Sequence, residues 1–165
     1  MKFVLVGIVL LGMGYIGYGL SKFYKKRKRF FEDLTLFCEK LCVDISFSSE
    51  SLKTIINQNY ECFSKDFKIV LNGYLTFLET NGSVLENETL FKKLNVVKDE
   101  EKEAILLFFK NLGRLDACNQ VAEINNFKLK FLDLKKGAEE ENKKFGSLSL
   151  KLLVLLGILV VIILL

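Results

Sequence analysis

The fold is decided by residues 3–45, FVLVGIVLLGMGYIGYGLSKFYKKRKRFFEDLTLFCEKLCVDI, which change character twice. Residues 3–21 are 19 uncharged residues, which at ~1.5 Å each approach the ~30 Å thickness of a bilayer's hydrocarbon core. Six cations follow between Lys22 and Arg29. From Phe30 to Ile45 the apolar residues recur every three or four positions, which is the period of an amphipathic helix. This stretch therefore predicts a membrane-spanning helix that continues into a helical domain.

The other end of the chain mirrors the first. Residues 152–165 carry no polar side chain, and residues 145–165 contain Lys151 as their only charge. A lysine near the end of a span can extend its long stem so that the ammonium reaches water. We therefore expect a second membrane-spanning helix at residues 145–165.

The cations beside both spans predict one topology. Loops rich in lysine and arginine stay on the cytoplasmic side of a membrane. The basic run after residue 21 and the pair Lys143 and Lys144 therefore both predict that the region between the spans is cytoplasmic. Both termini then lie outside the cell membrane. The expected domains are a short N-terminus with the first span at 1–22, a cytoplasmic bundle at 23–144 and the second span at 145–165.

The charge distribution argues against a nucleic-acid-binding protein. All 20 acidic residues lie between Glu32 and Glu141 together with 14 of the 24 basic residues, so this region carries −6 and its flanks carry +10. The sequence pI of about 8.8 thus reflects basic segments beside apolar ends. We expect a lipid bilayer, and not nucleic acid, as the partner of these cations.

The residue types present restrict the possible chemistry. The chain has no histidine, which excludes Ser-His-Asp triads, Cys-His pairs and zinc sites that contain histidine. Its four cysteines, Cys38, Cys42, Cys62 and Cys118, form no C-x-x-C pair, so we expect reduced thiols in the core rather than a metal site. We predict no enzymatic activity, no metal and no cofactor.

Residues Gly12 to Gly17 match G-x-G-x-x-G, the phosphate-binding fingerprint of dinucleotide-binding proteins. That motif needs a strand before it and a second strand ending in an acidic residue about 20 positions later, and the second strand is missing. A dinucleotide-binding enzyme stays as an alternative. The favoured interpretation is a smooth helix face that packs closely against another span. This face consists of Gly7, Gly14, Gly17 and Ser21.

Between the two ends the apolar residues keep a helical period throughout, which predicts an all-α bundle of six amphipathic helices. Serines in the break at 46–51 can cap the second helix, Gly113 ends the fifth and Asp116 caps the sixth. No proline interrupts residues 116–165, so we expect one continuous helix there, with a flexible tether between the sixth helix and the second span as the alternative. The predicted core positions are Phe30, Leu34, Phe37, Leu41, Ile45; Leu52, Ile55, Ile56, Tyr60; Phe63, Phe67, Val70, Tyr74, Leu78; Leu90, Phe91, Leu94; Ile105, Phe108, Phe109, Leu112; and Val121, Ile124, Phe127, Phe131, Leu134, Ala138.

A spaced pattern runs from residue 112 to the C-terminus. It consists of Leu112-Gly113, Asp116, Gln120 and Ile124, then Ala138-Glu139 and Lys144, then the glycine-bearing apolar tail that ends in Ile162-Ile163-Leu164-Leu165. This pattern resembles the stage III sporulation protein AB family of endospore-forming bacteria. The N-terminal half agrees more loosely, through Gly17, the basic run after it, Asp44-Ile45-x-Phe47 and Leu52. Ser51 departs from the family, which usually has proline there.

The resemblance implies a cytosolic domain similar to platform protein F of type II secretion systems. It implies a non-enzymatic platform in the mother-cell membrane around the forespore, within the channel complex that connects the two cells. The expected partners are a secretion-type ATPase, stage III sporulation protein AA, and the other channel subunits. An alternative is a membrane-anchored helical adaptor of another secretion-like system. Within this frame the candidate partner contacts are Asp116, Gln120 and Glu139, although Asp116 as a helix cap with Gln120 as its neighbour is a purely structural alternative.

Overall fold

The computed structural model describes the backbone of residues 2–48, 50–80, 85–92, 94–146 and 148–164, and their side chains except at 2–6, 8–10, 148–150, 152, 160–161 and 163–164. Within these residues the fold is all α-helical and has no strand, as predicted. A 3₁₀ turn, Tyr60–Cys62, follows α2, and a π-helical segment, Asn142–Gly146, follows α6. The helices are α1 Lys2–Phe47, α2 Leu52–Asn59, α3 Lys65–Glu79, α4 Asn87–Leu90, α5 Asp99–Asn111, α6 Ala117–Glu141 and α7 Leu148–Leu164.

The chain divides into two compact units. The terminal unit comprises Met1–Lys28 and Lys136–Leu165, and the central unit comprises Arg29–Lys135. Helices α1 and α6 contribute residues to both units, whereas α2 to α5 belong to the central unit and α7 to the terminal unit. The bundle expected at 23–144 extends beyond the central unit at both of its ends.

The six predicted amphipathic segments are all helical, with small differences at their ends. Tyr60 lies in the 3₁₀ turn rather than in α2, and Phe63 precedes α3 because Ser64 occupies the N-cap position of that helix. Leu94 follows α4, which is only one turn long, and yet Leu94 is buried. The predicted stop of the third helix at residues 81–82 lies outside the described residues.

The core of the central unit contains a cluster of aromatic rings, most of them in edge-to-face contact. Phe37 of α1 lies with its ring centroid 5.6 Å from that of Phe67 on α3 and 5.9 Å from that of Phe109 on α5. Phe108 of α5 continues the cluster to Phe131 of α6, at 5.3 Å. All five rings are buried, as the helical period of the sequence predicted.

Buried polar groups fix the start of α3. The carboxylate of Asp33, on α1, accepts the backbone N–H of Ser64 at 2.8 Å and lies 3.3 Å from the Arg29 guanidinium. Asp33 therefore satisfies a donor at the N-terminus of α3. The start of α2 is capped as predicted, because the Ser51 hydroxyl accepts the N–H of Thr54 at 3.2 Å.

Gly73 allows α4 to approach α3 closely. A Cβ at this position would lie against the carbonyl oxygen of Thr89 and 3.0 Å from the Cα of Leu90. Both atoms belong to the backbone of α4, so they cannot move aside as a flexible side chain would. The short α4 therefore packs against bare backbone on α3.

In the terminal unit the first part of α1 contacts the π-helical segment that precedes α7. The Tyr24 ring stacks on Phe145 with centroids 5.6 Å apart and planes inclined by 27°. Gly146 is buried next to Tyr24, and a Cβ there would lie 2.8 Å from the Asn142 side-chain oxygen. The single α-helix expected over 116–165 is therefore wrong in one respect, because π-helical hydrogen bonding at Asn142–Gly146 interrupts the α-helical ladder.

The two predicted spans, 1–22 and 145–165, contain most of the side chains that lie outside the described set. Among the residues that the structure does describe, no helix combines the length and the apolar content needed to cross a bilayer.

Candidate functional site

The corner between α5 and α6 contains two of the predicted contact residues, Asp116 and Gln120. Gly113 leaves α5 with φ +79°, a conformation that favours glycine, and its position beside Leu52 leaves little room for a side chain. The Gln120 side-chain oxygen accepts the Gly113 N–H at 2.9 Å. Asn111, the last residue of α5, donates through its amide to Glu123 of α6 at 2.7 Å. Side chains of α6 therefore hold this corner in place.

Asp116 caps the start of α6, as the structural alternative expected. Its carboxylate accepts the Asn119 side-chain amide at 2.6 Å and the Asn119 backbone N–H at 3.3 Å. These two donors, the side-chain amide above all, hold the pKa of the Asp116 carboxyl below its usual range. Because Asp116 is exposed, it stays available to a partner while it caps the helix.

Gln120 does not have the exposure that the sequence suggested. Only 4% of its surface is accessible, since its side chain turns inward to the Gly113 backbone. The expectation of an exposed Asp116–Gln120 pair is therefore wrong for Gln120. Residues 113–119 of the corner are all exposed, among them Leu115, Asp116 and Cys118.

Glu139 lies far along α6, in the terminal unit, and is half-buried. It belongs to a run of three glutamates, of which Glu141 accepts a hydrogen bond from the Arg27 guanidinium at 2.8 Å. Arg27 is only 3% exposed. The basic run after the first apolar stretch thus contains a buried arginine among cations that are mostly exposed, a distinction that the sequence did not show.

The predicted glycine face of α1 differs along its length. Gly17 and Ser21 are buried, whereas Gly7 and Gly14 are half-buried. A Cβ added at Gly7 or Gly14 would meet no atom of the described residues within 4 Å. The face is therefore covered within this chain at Gly17 and Ser21 and is more open at Gly7 and Gly14.

Residues 12–17, which match the dinucleotide fingerprint, lie inside the uninterrupted helix α1. The fingerprint works because a tight turn between a strand and a helix brings backbone N–H groups to a pyrophosphate. Within a helix those N–H groups are already bonded to carbonyl groups four residues earlier. The dinucleotide-binding alternative is therefore wrong in its structural premise.

The four thiols are free and differ in their surroundings. Cys38 is buried and Cys42 half-buried, and burial raises the pKa of both thiols. Cys42 lies against α6, with its Sγ 3.8 Å from the Asn125 side-chain oxygen. Cys62 and Cys118 are exposed, so the expectation of core thiols is right for Cys38, half right for Cys42 and wrong for these two.

An apolar cavity of about 290 Å³ lies beside α3 and α5, with two cations, Lys110 and Arg114, in its lining. Tyr74 contributes its ring, and burial raises the pKa of the Tyr74 phenol to about 12. Such a cavity suits an apolar side chain followed by an acidic group. Its aromatic walls come from Tyr74, Phe77 and Phe109.

Comparison with known protein families gives a match over almost the whole chain. The family model for stage III sporulation protein AB matches residues 2–165. No curated protein and no solved structure is matched. Since the matched residues cover all but the first position of the chain, the protein belongs to the stage III sporulation protein AB family.

Proposed function

We propose that this protein is a non-enzymatic membrane platform of the channel complex between mother cell and forespore, where it couples a secretion-type ATPase to the membrane channel. Its family assigns it a role in stage III of sporulation. Its all-helical architecture suits a scaffold. The partner ATPase, of the stage III sporulation protein AA type, supplies the energy.

The observation that carries the proposal is the continuity of α1. This helix runs from Lys2 to Phe47 without a break and joins an uncharged segment to the aromatic core around Phe37. A helix of 46 residues is about 69 Å long at ~1.5 Å per residue. No loop therefore separates the segment for which we propose a membrane location from the core that we propose faces the ATPase.

The exposed apolar side chains of the terminal unit support a membrane location. Tyr15 of α1 is 81% exposed and Leu155 of α7 is 65% exposed, and neighbours such as Leu11 and Ile162 are similarly open. Soluble proteins rarely leave so many large apolar side chains in water. We propose that lipid covers them, with both termini outside and the central unit in the cytoplasm.

The ATPase contact is proposed at the exposed α5–α6 corner, near Asp116. A pull-down of the ATPase by the full chain in detergent tests this. Asp116→Lys reverses the charge at the contact and should lower the amount of captured ATPase about tenfold. A reversed charge at a contact weakens the binding free energy by more than about 1 kcal/mol. The matched control is Glu103→Lys, which reverses an exposed acid on α5 and should leave capture unchanged.

Two results would count against this proposal. Equal capture by Asp116→Lys and the parent protein would move the contact away from the corner. Absence of capture by the parent, with ATPase that is folded and active, would remove the ATPase as a direct partner.

A further inference from the structure

Lys151 is the one charged residue in 145–165, and it lies exposed on α7. A lone ammonium in an apolar segment is costly unless it reaches water or an opposite charge. The acidic residues of the terminal unit are Glu139, Glu140 and Glu141, the last of which bonds to Arg27. Among the described residues, no carboxylate forms an ion pair with Lys151. A counter-charge from outside the chain would therefore be favourable.

A groove on α7 begins at this lysine. It is lined by Lys151, Val154, Leu155 and Ile158 and has a volume of about 300 Å³. These residues are spaced by three, four and seven positions, so they lie on one face of the helix. The groove thus presents an ammonium followed by aliphatic side chains, which matches a ligand with an anionic head and an apolar chain.

Further cations lie in the same unit. The Tyr24–Phe145 stack, at 5.6 Å, holds the residues after the first apolar stretch next to those before α7. Lys22, Lys25, Lys143 and Lys144 are all exposed. Clustered lysines attract anionic lipid headgroups over a distance of about one Debye length. The unit therefore favours an anionic over a zwitterionic headgroup.

We propose that the groove is a binding site for an anionic phospholipid. The phosphate oxygens accept hydrogen bonds from the Lys151 ammonium, and one acyl chain lies along Val154, Leu155 and Ile158. This inference rests on the proposed membrane location of the terminal unit.

Native mass spectrometry of the full chain in nonionic detergent tests the site, with phosphatidylglycerol and phosphatidylcholine as probes. Lys151→Gln should lower retention of phosphatidylglycerol about fivefold, which corresponds to one lost lysine contact. Retention of phosphatidylcholine should fall less, because its choline ammonium already offsets the charge of its phosphate. Lys151→Arg keeps the charge and should retain the lipid. Leu155→Ala removes a chain contact and should lower retention of both lipids alike.

The control is Lys65→Gln, which removes an exposed lysine on α3 and should change nothing. Equal retention of phosphatidylglycerol by Lys151→Gln and the parent protein would overturn the site. Vesicle flotation separates this result from a failure of the proposed function. If the chain floats with neutral vesicles but shows no lipid preference, the groove proposal is wrong and the membrane location stands; if it floats with no vesicles, both are wrong.

Discussion

In the central unit most of the large aromatic side chains are buried, whereas in the terminal unit the large apolar side chains of α1 and α7 are mostly exposed. Phe37 and Phe108 are each 1% exposed, but Tyr15 is 81% exposed. Both regions are rich in apolar residues, so composition does not separate them. The two regions differ instead in the periodicity of their sequences. Apolar residues recur on one face of the central helices and on all faces of the terminal helices.

This difference shows what each unit needs for stability. A helix with one apolar stripe buries it against its neighbours in the same domain. A helix that is apolar all round needs an apolar surrounding, which is lipid or the interior of a larger assembly. The central unit is therefore expected to be stable in water, and the terminal unit only in a bilayer or a detergent.

Truncating the core ring of Phe37 gives the largest expected effect. Phe37→Ala removes a side chain that packs against Phe67, Phe108 and Phe109 and should lower the free energy of unfolding by about 3–5 kcal/mol. The matched control is Phe47→Ala at the end of the same helix, where the ring is 88% exposed. It should cost less than about 0.5 kcal/mol in denaturant unfolding of the full chain. Equal losses would contradict the placement of the core.

The second largest effect on stability is expected in the terminal unit, from breaking the Arg27–Glu141 pair. Arg27→Gln removes the buried guanidinium that donates to the Glu141 carboxylate. We expect this change to lower the stability of the terminal unit by about 2 kcal/mol. Amide hydrogen exchange in Asn142–Gly146 should accelerate accordingly. Lys25→Gln, which removes an exposed cation from the same helix, should leave that exchange unchanged, and acceleration by both variants would show a general effect of charge.

Alanine at two glycines should have opposite effects. Gly73→Ala forces a Cβ against the α4 backbone and should destabilise the central unit by about 1–3 kcal/mol. Gly137→Ala places a methyl group in open space inside α6 and should stabilise the helix by about 0.5–1 kcal/mol. Thermal unfolding of both variants measures the difference. A neutral Gly73→Ala would mean that α4 packs elsewhere.

The smallest effect concerns acid stability. The pKa of Asp116 is lowered mainly by the Asn119 amide, and that of Asp99 by the Lys102 ammonium. Carboxyls with lowered pKa values stabilise the folded state above their unfolded pKa, and this contribution is lost as the pH falls below about 4. Asp116→Asn should therefore show a shallower loss of stability on acidification than the parent protein. Parallel pH profiles would contradict the capping role of the carboxylate.

The sequence predicted the helical segments well because their apolar period is regular and the caps Ser51 and Asp116 have side chains suited to that position. It missed contacts between distant residues, such as Asp33 with Ser64 and Arg27 with Glu141. Each needs a particular alignment of two helices, which no local pattern specifies. The inward turn of Gln120 escaped prediction for the same reason, since its partner is a backbone N–H whose direction depends on the left-handed Gly113.

The α-helical period also failed to show the π-helical segment Asn142–Gly146. The apolar residues there are too few to mark a change from 3.6 residues per turn. Its one visible signal is Gly146, which the buried contact with Asn142 requires. The C-terminal half of the family pattern includes this segment, so family resemblance located the region without revealing its geometry.

The central claim is that lipid surrounds the terminal unit but not the central one, and thiol labelling in opened vesicles tests it most directly. Cys118 is exposed and reports on the central unit, and Tyr15→Cys places a thiol at an equally open position on α1. With a water-soluble maleimide in opened vesicles, Cys118 should react and the thiol at position 15 should stay unlabelled until detergent or denaturant is added. Equal labelling of both thiols without detergent would contradict the membrane location and the platform function built on it.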